Sequence, residues 1–184
     1  GALLASTTGN YNVAIGQAAS GSNTTGVSNV SVGQAAMYYN TTGGQNTASG
    51  RNALFANTTA SYSSAFGFAA LLGNTTGVAN TAVGDSAGYT TTTGYKNNFL
   101  GASSRGQSAT AFAQNVIGYN VQSVSSNYTT IGINGSISWL NVGGTSWSGS
   151  SDSRLKDNIT SSTAGLSFIN DLRPVTYEWK AKGD

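Results

Sequence analysis

Near its amino-terminal end the chain contains the stretch Asn12-Val13-Ala14-Ile15-Gly16. The glycine of this stretch recurs with a 17-residue period, at Gly16, Gly33, Gly50, Gly67, Gly84, Gly101 and Gly118. Self-similarity at a fixed period indicates a repeat architecture, in which each unit is stabilised mainly by its neighbours. We therefore read most of the chain as seven copies of one structural unit.

The residues around the repeated glycine fall into apolar and small columns. The position before the glycine holds Ile15, Val32, Ser49, Phe66, Val83, Leu100 and Ile117. The third position after it holds Ala19, Ala36, Ala53, Ala70, Ala87, Ser104 and Val121. We expect the first column to face inward and the second to permit close approach of neighbouring backbones.

Two further columns are polar. At the fourth position before the glycine come Asn12, Asn29, Asn46, Ser63, Asn80, Asn97 and Gln114, which should stack as a ladder on successive units. At the eighth position before it come Thr8, Thr25, Thr42, Thr59, Thr76, Thr93 and Thr110, usually followed by glycine. A threonine-glycine step of this kind is typical of a turn.

Short runs that alternate polar or small residues with apolar ones have the period of a strand rather than of a helix. One or two short strands and two turns fit into each unit, so the fold class predicted is all-β, a repetitive β-solenoid of 17-residue coils. A coil built on alanine and one aliphatic column buries little apolar surface. Association of three chains into a trimeric fibre would add apolar contact.

Composition narrows the function classes. The chain has 184 residues with 25 glycines, one proline and 8% charged residues, which is not the composition of a disordered tail. A net charge of +2 without a basic run argues against a nucleic-acid partner. The sequence has no cysteine or histidine, so we expect no metal site and no cofactor. No membrane span is visible, and we expect no membrane insertion.

Charge divides the chain near residue 150. Residues 1–150 contain four charged residues, and residues 151–184 contain the other ten. We predict a solenoid shaft at 1–135, a Gly/Ser-rich connector at 136–150 and a separate domain at 151–184. In that last segment a helix over about 163–172, stopped by Pro174, and a strand over 175–179 predict the beginning of a small α+β domain.

The 17-residue units resemble the repeats in the heads of trimeric autotransporter adhesins and in phage tail fibres, where Asn-x-Ala-aliphatic-Gly recurs once per coil. The resemblance covers about residues 8–121, and Tyr128-Thr129-Thr130-Ile131-Gly132 follows it as a degenerate last unit. It implies a fibrous homotrimer that attaches to a host-cell receptor or glycan.

A second resemblance begins at Ser151-Asp152-Ser153-Arg154-Leu155-Lys156-Asp157-Asn158-Ile159 and continues at 172–180. These motifs look like the opening of the endosialidase-type intramolecular chaperone domain, which drives trimer folding of a fibre and then cuts itself off. The resemblance places the catalytic serine at Ser151 and its lysine base at Lys156, with the severed bond between Ser151 and Asp152. It implies at most a single-turnover self-cleaving peptidase with no external substrate. Because only the segment 151–184 of a longer domain is present, we expect the 184-residue chain to remain whole.

A lysine can serve as the base for a serine nucleophile when its pKa is lowered. Without the resemblance, Lys156 among Arg154, Asp152 and Asp157 would be read as a solvated charged turn. Taken together, the two resemblances predict a phage tail-fibre protein located on the virion, which contacts other virion proteins and attaches to a host.

Two alternatives remain open on the sequence. The repeat alone would also suit a bacterial surface adhesin or extracellular filament, and the threonine columns would suit an ice-binding solenoid. The Asn-x-Ser/Thr sequences at Asn23, Asn40, Asn57 and Asn74 are interpreted as turn residues rather than glycosylation sites. The aromatic residues Tyr38, Tyr39, Phe55, Tyr89 and Tyr95 are interpreted as contacts between chains before glycan contacts.

Overall fold

The structure is a computed structural model and describes residues 1–149. Within this range the chain is all-β, with ten strands and no helix. Seven short strands follow the repeat: β1 Val13–Ile15, β2 Val30–Val32, β3 Thr47–Ser49, β4 Ser64–Phe66, β5 Thr81–Val83, β6 Asn98–Leu100 and β7 Asn115–Ile117. Three more strands complete the set: β8 Tyr128–Ile133, β9 Ser136–Asn141 and β10 Ser148–Gly149.

All ten strands form one sheet in chain order. Strands β1 to β8 are parallel, and each residue of β1 to β6 pairs with the residue 17 positions later. Parallel pairing of consecutive strands requires the chain to complete one turn between them, which makes each 17-residue unit one coil. The predicted β-solenoid of 17-residue coils is confirmed.

Besides the strand pairing, backbone hydrogen bonds join successive coils at two turns of each coil. At the threonine turn, Thr41 N–H donates to the Thr58 carbonyl over 2.9 Å. At the other turn, Leu54 N–H donates to the Ala70 carbonyl over 3.0 Å. Each coil is thereby fixed to the next on several sides.

The glycine column is explained by the contact between coils. The seven repeated glycines have φ between +123° and +139°, a region that residues with a side chain rarely adopt. A Cβ built on Gly84 would lie 2.7 Å from the carbonyl carbon of Gly101 in the next coil. The position therefore requires glycine for its backbone angle and for the space.

The predicted asparagine ladder is also present. The backbone N–H of Asn46 donates to Asn29 Oδ1 over 3.0 Å, and Asn29 Nδ2 donates to the Gly43 carbonyl over 2.8 Å. The same pattern repeats along the solenoid with Gln114 as its last member. Each buried amide thus supplies hydrogen bonds to backbone groups that would otherwise have no partner.

The core lies inside the coil and is thin. It is formed by the central residues of β3 to β7 together with small and medium side chains from the turn after the glycine: Ala36, Met37, Ala48, Ala53, Leu54, Ala65, Ala70, Leu71, Ala82, Ala87, Phe99, Val116 and Val121. The column of small residues at the third position after the glycine is fully buried. Burial is therefore shared over many small contacts between neighbouring coils.

The expectation that the column before the glycine faces inward is wrong. Ile15 is 60% exposed and Leu100 is 51% exposed, whereas Ala48, Ala65 and Ala82 at the strand centres are completely buried. Alternate residues of a strand point to opposite faces, so a short strand with an inward centre points both of its ends outward. The narrow interior accepts the alanines and leaves the larger side chains outside.

The solenoid ends in a hairpin. Strand β8 pairs with β7 at a shorter spacing of 14 positions, with Ile131 opposite Ile117, so the degenerate last unit predicted at 128–132 continues the parallel ladder. Strand β9 then runs antiparallel to β8, and β10 antiparallel to β9. Two strands therefore lie within the segment predicted as a Gly/Ser-rich connector. The turn Asn134-Gly135, with φ of 48° and 86°, closes the hairpin.

Candidate assembly surface

The most prominent surface feature of the solenoid is the apolar column that the coil leaves outside. We call it the outward column, and it consists of Ile15, Val32, Ser49, Phe66, Val83, Leu100, Ile117 and Ile131. Each member occupies the third position of its strand, or the paired position of β8, so the column is continuous along the parallel sheet. Six of its eight members are at least 37% exposed.

The surface beside the outward column changes character along the fibre. The first positions of the strands also point outward, and they run from Val13 and Val30 through Thr47, Ser64 and Thr81 to Asn98 and Asn115. At the polar end Asn98 Nδ2 donates to Asn115 Oδ1 over 2.8 Å. Neither set of positions contains a charged residue. Near β1 the outward face is therefore apolar and uncharged. Near β7 the outward column lies beside a row of amide side chains.

The outward column has the properties of a protein contact surface. Successive side chains are separated by the strand spacing of about 4.8 Å, so they form one apolar strip that only Ser49 interrupts. Full burial of one such side chain is worth about 1.5–3 kcal/mol, and contiguous exposed apolar patches mark interaction sites. A strip without charge suits a partner that presents a similar apolar strip.

The residues of this column were identified correctly from the sequence, but the prediction placed them on the wrong side of the strand. The signal that could have corrected this is the size of the central residue, which is alanine or serine in five of the seven coils. A column of such small side chains leaves room only for a thin interior. The bulky flanking residues then have to lie outside.

The residues assigned to self-cleavage, Ser151, Asp152 and Lys156, lie outside the described residues, as do the helix predicted at about 163–172 and the strand predicted at 175–179. The dyad and the cleavage position stay predictions. Within residues 1–149 no group of three or more acidic, histidine or cysteine side chains could hold a metal ion. The described residues also contain no helix that is long and apolar enough to cross a membrane.

The solenoid contains a second buried ladder, which was not predicted from the sequence. Asn40 Nδ2 donates to Asn23 Oδ1 over 2.7 Å and to the Gly43 carbonyl over 3.0 Å, and Asn57 and Asn74 repeat the arrangement. These asparagines belong to the Asn-x-Thr sequences and are completely buried. Their interpretation as turn residues agrees with this geometry, because an amide enclosed in the coil is not accessible to glycosylation in the folded chain.

The two neighbouring threonine columns have different environments in the coil. Thr24, Thr41, Thr58, Thr75 and Thr92 each donate their hydroxyl to the carbonyl of the residue 17 positions later. The threonines that follow them, Thr25, Thr42, Thr59, Thr76 and Thr93, are exposed. One rank therefore stabilises the stack of coils and the other rank faces outward.

Several aromatic residues contact one another between successive coils. Tyr38 stacks on Phe55 with ring centroids 5.7 Å apart, and Tyr39 meets the edge of both rings. Tyr95 stacks on Phe112 of the next coil at 5.2 Å. These rings pack against one another along the solenoid within a single chain, so part of their surface is already used in that way.

Comparison with known proteins gives a match at the end of the chain. Residues 151–184 match the family model described as "Chaperone of endosialidase". This agrees with the resemblance seen in the motifs of that segment, and it covers that segment alone. No curated protein matches the chain, and no solved structure does.

Proposed function

We propose that the chain is part of a homotrimeric attachment fibre of the phage tail-fibre kind, located on the virion, with a solenoid shaft that assembles under the direction of a C-terminal chaperone domain. The observation that carries the proposal is the combination of the neutral outward column with the chaperone-family match at 151–184. Such a match is consistent with a tail-fibre protein trimerised by a chaperone. The host receptor or glycan and the neighbouring virion proteins belong to the proposal.

The shaft gives a physical reason for association. A single coil keeps Ile15, Phe66, Val83, Leu100 and Ile117 substantially exposed, because its interior is too narrow for them. Copies of the same chain in parallel present the same side chains at the same spacing, so their strips can pack along the whole shaft. The number of three chains comes from the resemblance to trimeric fibres.

Light scattering coupled to size exclusion tests the assembly. We expect a trimer at micromolar concentration, and substitution of two outward residues, Val83→Glu with Leu100→Glu, to shift the mass to that of a monomer. Buried charges without partners are costly, which makes the substituted strip unsuitable for packing. Tyr62→Glu is the matched control, since Tyr62 is 65% exposed and lies off the outward column. A monodisperse monomer of the unsubstituted chain, or a trimer that survives both substitutions, contradicts the proposal.

Self-cleavage is the second part of the proposal. In a chain extended by the residues that complete such a domain, Ser151 Oγ would attack the adjoining peptide carbonyl while Lys156 accepts its proton. The bond to Asp152 would then break as the Asp152 amine takes up that proton, and water would hydrolyse the resulting ester. Ser151→Ala and Lys156→Ala should each leave an uncut precursor that still trimerises, because neither side chain belongs to the core of the repeat. Lys156→Arg should also remain uncut, because a guanidinium cannot give up its proton at accessible pH and so cannot act as the base. Mass spectrometry measures this. Normal cutting in the alanine variants, or a new terminus far from residue 151, removes the dyad.

The alternative functions predict different observations. A bacterial surface adhesin would carry a C-terminal membrane anchor in its reading frame. An ice-binding solenoid would produce thermal hysteresis, which the exposed rank of threonines makes worth measuring. A reading frame with an anchor or a clear hysteresis gap would replace the attachment-fibre proposal.

A further inference from the structure

A groove opens where the repeat changes length. Strands β1 to β7 follow one another at intervals of 17 positions, and β8 follows β7 after 14, so the last coil is shorter than the others. Between this coil and the hairpin turn lies a groove of about 420 Å³. Its polar lining includes Arg105, Asn120, Gln122 and Asn134, and its apolar lining includes Val124 and Ile137.

The polar side chains of the groove are ordered by a chain of hydrogen bonds. Arg105 Nη1 donates to Asn120 Oδ1 over 2.9 Å, and Nη2 donates towards Gln122 Oε1 over 3.5 Å. Asn120 Nδ2 donates in turn to Asn134 Oδ1 over 3.2 Å. A guanidinium has no acceptor, so the amide oxygens of Asn120 and Gln122 must face it and their nitrogens must point away.

The direction of these bonds decides what remains available in the groove. Each of the three amide oxygens accepts one hydrogen bond from within this cluster. Gln122 Nε2 also donates to the Gln107 carbonyl over 3.4 Å, and Arg105 Nη1 donates towards the Ser103 carbonyl over 3.5 Å. The donors that remain are the other N–H groups of Arg105, the second amide hydrogens of Asn120 and Gln122, and the amide hydrogens of Asn134. A guanidinium charge surrounded by further N–H donors is suited to an anion.

The positive charge of Arg105 is not neutralised within residues 1–149. The one acidic residue in that range is Asp85, and its Oδ1 accepts a hydrogen bond from Ser86 Oγ over 2.8 Å. Arg51 provides a contrast, because its guanidinium lies over the ring of Phe68, 4.6 Å from the centroid, and is used in packing. Arg105 is therefore the arginine of the shaft whose environment resembles half of an ion pair.

We propose that this groove binds the carboxylate of an acidic saccharide. The planar fork of an arginine matches a carboxylate, the amides can donate to ring oxygens, and Val124 and Ile137 offer apolar surface to the ring. The anion preference follows from the charge of Arg105 together with the N–H donors that remain around it. The choice of a saccharide over a free anion rests on the proposed attachment role.

Titration of the 184-residue chain with D-glucuronate tests the groove, with D-glucose as the neutral control and sulfate as the free anion. We expect glucuronate to bind with a dissociation constant in the millimolar range, as detected by chemical-shift changes of Arg105 and its neighbours, and glucose not to bind. Arg105→Gln should weaken glucuronate binding at least tenfold, and Arg105→Lys should weaken it less. Arg51→Gln is the matched control and should bind as the unsubstituted chain does.

Three results overturn the proposal: no shift with glucuronate, equal shifts with glucose, or unchanged binding in both Arg105 variants. Binding of sulfate as tightly as glucuronate overturns the assignment to a saccharide. If Arg105→Gln fails to fold by circular dichroism, Arg105→Lys provides the comparison. The oligomeric state is measured on the same samples, so failure of the groove is distinguishable from failure of the fibre: a trimer that does not bind glucuronate refutes the groove alone.

Discussion

The repeated coils and the terminal hairpin are built from strands of the same sheet, yet they tolerate different residues. In the coils, each strand is short and every turn is pressed against the next coil. In the hairpin, β8 and β9 are twice as long and are joined by Asn134-Gly135, around which no atom lies within 4 Å of a Cβ placed on the glycine. The difference shows that contacts between coils restrict the residues of the repeat in addition to the local backbone geometry.

The largest expected effect comes from glycine substitution. Gly67→Val should abolish folding of the shaft, because a Cβ on Gly67 would lie 2.5 Å from the Gly84 carbonyl oxygen and the φ of +130° is strained for valine. Gly135→Val, at φ +86° with open space around it, should cost only the backbone strain of about 1–2 kcal/mol. Thermal unfolding followed by circular dichroism measures both. Equal stability loss in the two variants would contradict the role of the contact between coils.

The second-largest expected effect concerns the arrangement of large and small side chains in the core. Position 88 is glycine where the preceding coils have Leu54 and Leu71, and the next strand centre is Phe99 where they have Ala65 and Ala82. A Cβ on Gly88 would lie 2.5 Å from Phe99 Cδ2. The large and small residues have therefore exchanged places between the turn and the strand.

This exchange makes a double substitution informative. Phe99→Ala alone should destabilise the shaft by about 3–5 kcal/mol, and Gly88→Leu alone should overpack it. Combined, they recreate the leucine-alanine pair of the earlier coils, and Leu71 shows that leucine accepts the left-handed backbone at this position, with φ of 51°. The double variant should recover most of the stability in chemical denaturation. Additive losses would show that the two positions are independent.

The smallest expected effect comes from the second asparagine ladder. Asn57→Ala removes the donor to Asn40 Oδ1 and to the Ala60 carbonyl, and leaves two buried acceptors without this partner. A loss of about 1–3 kcal/mol follows. Asn141→Ala at the exposed end of β9 should change stability by less than about 0.5 kcal/mol. Denaturant midpoints compare them, and an equal effect would mean that the ladder adds nothing beyond solvent-exposed polar contacts.

Part of the hairpin could have been predicted. The dipeptide Asn134-Gly135 between Ile131, Ile133 and Ile137 is a strong hairpin signal, because both residues accept positive φ. The weight placed on Gly143, Gly144 and the serines around them favoured a connector instead. Those residues follow β9, and the alternation of Ile137, Trp139 and their polar neighbours already has the strand period.

The sequence alone determined the 17-residue period, the glycine column, the asparagine ladder and the C-terminal chaperone motifs, because each depends on residues that recur or cluster along the chain. Only the tertiary structure decided that Ile15, Leu100 and their counterparts lie outside. A strand has two equivalent faces, and so short a strand contains too few positions for its pattern to distinguish them. The distinction comes from the width of the closed coil, which is set by side chains that meet from both sides of the interior.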